Sequence, residues 1–307
     1  MQVIFTELAF KILPLYLLIL FGFIAGKYIR VDRKSIAGIL FYIIIPYVFF
    51  EYGMRTEIHL QHLMLPVIFF IISTILSFSY LFVAKQIWKT DARPNVIAFS
   101  AGTGNTGYFG LPVALMLFDD QTIGIYMLMN IGLSFYDYSV GAFVMARGKY
   151  SSKDALVQVS RLPMLYAFLA GLLLNELGYK FPDEFRSFGS DMKGAYVVLG
   201  MMVIGLGLST VRSFDLNTKF ISVLLSAKFI AAPIMILLLI YADQSYFHLF
   251  SEQTHLAMLL LAFVPPAANT VVFASIHECH PEETATAILI GTIIGMFYMP
   301  AMLSILF

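Results

Sequence analysis

Gly102-Thr103-Gly104-Asn105-Thr106-Gly107-Tyr108-Phe109-Gly110-Leu111-Pro112 lies in the middle of an apolar run covering about residues 95–118. Glycine loosens a helix and proline removes a backbone donor, so this run should kink or unwind near its centre. A second run, at about residues 254–276, carries Val264-Pro265-Pro266-Ala267-Ala268-Asn269 at its centre, with the same expectation. Backbone that is not helical survives at membrane depth only where protein or water satisfies its polar groups. Such interruptions are either kinks whose small residues let helices pack closely or the two sides of a binding site. Their matching positions in the two halves, each with a central asparagine, favour the site.

Working outward, the rest of the chain has the composition of a membrane protein. Of the 307 residues 60% are hydrophobic and 12% charged, against about 45–50% and 25% in a soluble domain. A hydrocarbon core about 30 Å thick needs roughly 20 apolar residues per helix. That spacing predicts ten spans, at about 8–26, 36–53, 62–84, 95–118, 122–146, 162–178, 190–210, 218–242, 254–276 and 282–305. The fold class expected is an all-α polytopic membrane protein. The first span is not a signal peptide, because its basic cluster follows the apolar run. The 19 basic and 19 acidic residues cancel, leaving no general attraction to nucleic acid. The sole cysteine, Cys279, cannot form an internal disulfide.

Basic residues set the orientation. If Lys27, Arg30, Arg33 and Lys34 are cytoplasmic, alternate loops put Lys85, Lys89, Arg93, Arg147, Lys149, Lys153, Arg161, Arg212 and Lys219 on the same side. Lys11, Arg55, Lys180, Arg186 and Lys193 fall on the other, and Lys228 lies within a span. This asymmetry is the positive-inside pattern. It predicts a multi-pass protein of the cell (cytoplasmic or inner) membrane with both termini extracytoplasmic.

Five helices per half would turn the second half upside down, giving inverted repeats at residues 1–150 and 151–307. Leu13-Pro14-Leu15 with Gly22 recurs as Leu162-Pro163-Met164 with Gly171, at the same proline-to-glycine spacing. Gly104-Asn105-Thr106 recurs, in the same order within its half, as Ala268-Asn269-Thr270.

The stretch from Gly104 to Pro112 resembles the fourth-helix motif of the auxin efflux carrier family. Residues 265–274, followed by residues 277–292, are similar to that family's penultimate-helix pattern. The resemblance extends over essentially the full chain in span count and loop lengths. It implies ten helices as in the bile-acid sodium symporters, built as two inverted five-helix repeats whose broken helices 4 and 9 cross. Helices 1, 2, 6 and 7 would form a scaffold part, and helices 3–5 and 8–10 a transport part. The solute would bind beside the crossing, at Gly104, Asn105, Thr106, Pro112, Asn130, Pro265, Pro266, Asn269 and Thr270. The short central loop, residues 148–160, looks like that of a short microbial member, which argues against auxin itself as the substrate.

The chemistry of these residues suits an anion. Broken helices leave free amides and positive dipole ends near mid-membrane, which attract a carboxylate. The amides of Asn105 and Asn269 can bond a solute or patch the exposed backbone. Asn130, Ser134, Asp137 and Gly141 share one helical face of the fifth span. Asp137 is an intramembrane carboxylate, a functional group by default, and Lys228 lies at similar depth. The two could pair, Asp137 could carry a coupling proton, Lys228 could snorkel to the interface, or Asp137 could simply bond Tyr136 or Tyr138. His277-Glu278-Cys279-His280 has metal-binding residue types, but Pro281-Glu282-Glu283 reads as the first turn of the last helix, so no metal is expected. Tyr136-Asp137 lacks the second aspartate of an intramembrane protease, and no nucleotide-binding loop is present.

The function expected is a secondary transporter of a small organic anion, a carboxylate, without a cofactor and not an enzyme. The rival from another class is a receptor or sensor that binds a solute without moving it. Partners expected are that anion, a proton or sodium as coupling ion, the lipid bilayer, no nucleic acid, and, as an open alternative, a second copy in a homodimer.

Overall fold

The computed structural model describes residues 2–147, 151–180, 183–210 and 215–306. Residues 148–150 of the expected central loop, and Arg212 among the expected cytoplasmic cations, lie outside them. The described residues are helical without strands. In chain order the helices are α1 (Gln2–Ile24), α2 (Arg33–Arg55), α3 (Leu60–Ile87), α4 (Arg93–Gly102), α5 (Leu111–Leu117) and α6 (Asp120–Tyr136). There follow α7 (Ser152–Val159), α8 (Pro163–Glu176), α9 (Arg186–Ser209), α10 (Thr218–Phe247), α11 (Glu252–Phe263), α12 (Asn269–Ile276) and α13 (Pro281–Leu306). A π turn at Asp137–Gly141 continues α6 into Ala142–Met145.

Six of the expected spans are continuous helices long and apolar enough to cross a membrane: Ile12–Ile29, Arg33–Arg55, Leu60–Ile87, Arg186–Ser209, Thr218–Phe247 and Pro281–Ile305. The other four expected spans take different forms. Pro163–Glu176 is apolar but only 14 residues long, and α6 with its continuation carries the polar stripe. The remaining two are interrupted: α4 and α5 are separate helices, and so are α11 and α12. Local chemistry sets several helix starts. The Asp32 carboxylate accepts from the Ser35 hydroxyl and from the amides of Ser35 and Lys34, which holds its pKa below the usual carboxylate range. Asp119 and Ser251 cap α6 and α11 in the same way. As expected, α13 begins at Pro281 with Glu282 and Glu283 in its first turn, where acids suit the helix dipole.

Two bodies of helices pack among themselves, and they join where α1 meets α13 and α2 meets α6. In one, α1 lies along α9 and α2 along α8, with α9 also touching α2. In the other, α3 packs on α4 and α6, α6 on α11, α10 on α11, and α12 on α13. Glycines allow the close crossings in the first body, where no hydrophobic difference from lipid draws helices together and backbone approach must do so. Gly22 of α1 and Gly205 of α9 leave no room for a Cβ against the other helix's backbone. Gly171 of α8 and Gly53 of α2 make the equivalent approach.

Candidate functional site

The two interruptions meet. After Gly102 the chain runs non-helically through Thr103, Gly104 and Asn105, then winds a π turn at Thr106–Gly110. The partner break runs from Val264 to Ala268. The Asn105 amide N–H donates to the Pro265 carbonyl at 2.9 Å, a backbone bond from one broken span to the other. The Asn105 carbonyl accepts from Gly110 N at 2.9 Å. Both backbone groups of Asn105 are therefore satisfied without its side chain.

Tyrosines, which the sequence reading did not single out, repair the remaining exposed backbone. The Tyr126 hydroxyl of α6 donates to the Thr106 carbonyl at 2.8 Å, and the Tyr196 hydroxyl of α9 to the Gly107 carbonyl at 2.6 Å. Asn130 Nδ2 donates to Thr106 Oγ1 at 2.8 Å. The available signal was a tyrosine in mid-span, since a buried hydroxyl needs a partner. Among the described residues the side-chain amides of Asn105 and Asn269 make no hydrogen bond, although Asn105 is only 5% exposed. Neither patches the backbone; both face open space.

That space is a cavity of about 360 Å³ between the two bodies. Gly104, Asn105, Thr106, Asn130, Ser134, Asp137 and Asn269 line it from one body, and Lys34, Tyr42 and Met164 from the other. A second cavity, of about 260 Å³, shares Asn105 and Ala268 with the first. Arg33, Thr210, Glu282 and Thr292 are part of its wall.

Other expected site residues lie outside the main cavity. Pro112 is buried within α5. Pro265 and Pro266 pack on α13, where Gly295 and Gly291 make room for their rings. Thr270 is fully buried, its hydroxyl without a hydrogen bond. Asp137 and Lys228 are both buried, but no nitrogen–oxygen contact within 4.0 Å joins them among the described residues. Lys228 does not snorkel either: its Nζ lies against Gly104, on the wall of a small cavity of about 30 Å³. Asp137 Oδ1 lies near the Thr103 hydroxyl, and neither makes a well-formed hydrogen bond among the described residues.

The family described as "Membrane transport protein" matches residues 8–155 and 149–303. The chain belongs to this family, the auxin efflux carriers. Its two matched segments cover nearly the whole length and meet near residue 150. The chain is also 24% identical over 298 residues to the uncharacterized transporter MJ1031 of Methanocaldococcus jannaschii, covering 92% of this chain and 93% of that one. The protein is thus a multi-pass membrane transporter, the role given by its family. The motif around Asn105 marked the family correctly, and it is also where the two breaks join.

Proposed function

We propose that this transporter carries a small organic anion, a carboxylate, by alternating access at the crossing of α4/α5 with α11/α12. The observation that carries the reading is the pair of free asparagine amides. Asn105 and Asn269 come from two breaks joined by a backbone bond, and both open onto one cavity at the boundary of the bodies. Both amides reach the cavity, where the polar groups of a solute can replace water as their partners. The N-terminus of α12 begins at Asn269 itself, adding a positive dipole end. Arg33 and Lys34 each line one cavity and favour an anion at the mouth.

Ten spans in two inverted repeats, residues 1–150 and 151–307, account for the packing. Under such a repeat α8 answers to α1 and α9 to α2. The glycine crossing of α1 with α9 then maps onto that of α8 with α2, which is the pattern described above. The body of α1, α2, α8 and α9 is the scaffold, and the body with both breaks is the moving transport part. With the positive-inside orientation in a cell membrane, both cavities open toward the cytoplasm and the termini lie outside. Asp137, buried and facing the main cavity, is placed to carry a coupling proton; sodium held by oxygens at the breaks is the alternative coupling ion.

Uptake into proteoliposomes, with a panel of mono- and dicarboxylates and imposed proton or sodium gradients, tests the reading. Saturable uptake of at least one carboxylate, lost on replacing Asn105 or Asn269 by alanine, is the expected result. Uptake confined to cations or neutral solutes would refute it.

A further inference from the structure

Arg33 and Lys34, at the cavity mouths, begin α2, and Arg55 ends it. At 1.5 Å per residue these ends lie about 34 Å apart.

At the Arg55 end the two bodies are tied together. Arg55 Nη2 lies 2.8 Å from Oε1 of Glu51, which is fully buried and is also 3.3 Å from Lys193 Nζ. Glu51 thereby fixes the guanidinium on the scaffold. The other nitrogen, Nη1, reaches Asp120 Oδ2 at the start of α6, in the second body, at 3.1 Å. Next to it the Glu57 amide N–H donates to Gln121 Oε1 at 2.8 Å, and Gln121 Nε2 donates to the Glu57 carbonyl at 2.7 Å. Thr56 packs so closely on Gly124 that no side chain fits at position 124. Deeper in, the Tyr196–Gly107 bond crosses between the same bodies.

The repeat places a counterpart on the opposite face. There the end of α9 and the start of α13 answer to the end of α2 and the start of α6. Thr210 and Glu282, at those two ends, are on the wall of the 260 Å³ cavity. The α2–α6 junction is thus packed and hydrogen-bonded at one face, while a cavity lies at the α9–α13 junction of the other.

We infer that Arg55, Asp120, Gln121 and Gly124 form a latch that closes the outer face, and that it opens when the α9–α13 junction closes. The inference rests on the alternating-access reading proposed above. These are positioning residues: they set how long the carrier faces inward and touch no solute. Glu51 and Lys193 keep Arg55 in place when Asp120 departs, so the latch can reset without refolding.

The test uses the full-length protein with Cys279→Ser and single cysteine reporters, in sealed vesicles of either orientation, with an impermeant maleimide. Ile123→Cys, buried beside the latch, reports the outer face; Ser134→Cys, on the main cavity, reports the inner one. The double variant Asp120→Asn/Gln121→Ala should raise labelling at 123 from outside roughly tenfold and lower labelling at 134 from inside. Gly124→Ala, a methyl wedge against Thr56, should do the same with every polar contact retained. Labelling that rises at both reporters means loosened packing and overturns the latch, as does labelling unchanged in both variants. If a solute gradient shifts labelling between the two reporters in the parent while the variants do not, the latch fails alone. If the two reporters never change in opposite directions, in parent or variant, alternating access fails with it.

Discussion

Truncating Asn105 and Asn269 to alanine should cost affinity and spare stability, and truncating Asn130 should not follow that pattern. Among the described residues the amide side chains of Asn105 and Asn269 make no hydrogen bond, and the backbone at Asn105 is satisfied by Pro265 and Gly110. Removing either side chain therefore leaves no internal donor or acceptor stranded, and the unfolding temperature should stay close to the parent's. A bound carboxylate would lose one hydrogen bond per substitution, about 1–3 kcal/mol for a bond to a charged group, or roughly tenfold to hundredfold in Kd. Asn130→Ala differs, because it removes the donor that serves the buried Thr106 hydroxyl at 2.8 Å. A stranded buried acceptor costs about 1–3 kcal/mol, so that variant should unfold at a lower temperature whatever it does to affinity. The assay is binding of the carboxylate identified by uptake, beside thermal unfolding in the same detergent, for the three single variants and the Asn105/Asn269 double variant. A coupling of about 0.5 kcal/mol or more between the two asparagines would show that both hold one solute. Normal affinity with reduced stability in Asn105→Ala and Asn269→Ala would return these residues to a structural role and refute the site.

Three further outcomes follow from the same geometry. Asp137→Asn should abolish the acceleration of uptake by a proton gradient while retaining solute exchange, since exchange needs only the loaded carrier to reorient; an unchanged pH response in that variant would remove Asp137 as the proton site. A cysteine at position 152, with Cys279 replaced by serine, should resist an impermeant reagent in intact cells and label in inverted vesicles; the reverse would overturn the orientation. Asp32 caps α2 with its pKa held low, so its contribution is present above the ordinary carboxylate value, near pH 4, and is lost as pH falls through the lowered one. Asp32→Asn should accordingly flatten the acid-side fall of the unfolding temperature, and an unaltered slope would show that the cap does not report on folding.

The amino-acid sequence by itself determined the class of this protein, because a bilayer imposes its demands on length and polarity one span at a time. Apolar runs of the required length, basic residues crowded on alternate loops, and glycine or proline at two mid-spans are all local signals. The motif from Gly104 to Pro112 marked the family for the same reason: an interrupted helix must carry its interruption in its own residues. Juxtaposition was not legible. Asp137 and Lys228, read at similar depth, make no nitrogen–oxygen contact within 4.0 Å among the described residues, and depth along a span says nothing of azimuth once π turns have shifted the helical face. The tyrosines that repair the broken backbone, and the latch at Arg55, join residues 20 to 89 positions apart in sequence, and hydropathy does not record such pairs. Only the tertiary structure decided that the asparagine amides stay free. That outcome depends on which neighbours satisfy the surrounding carbonyls, and those neighbours arrive from other helices.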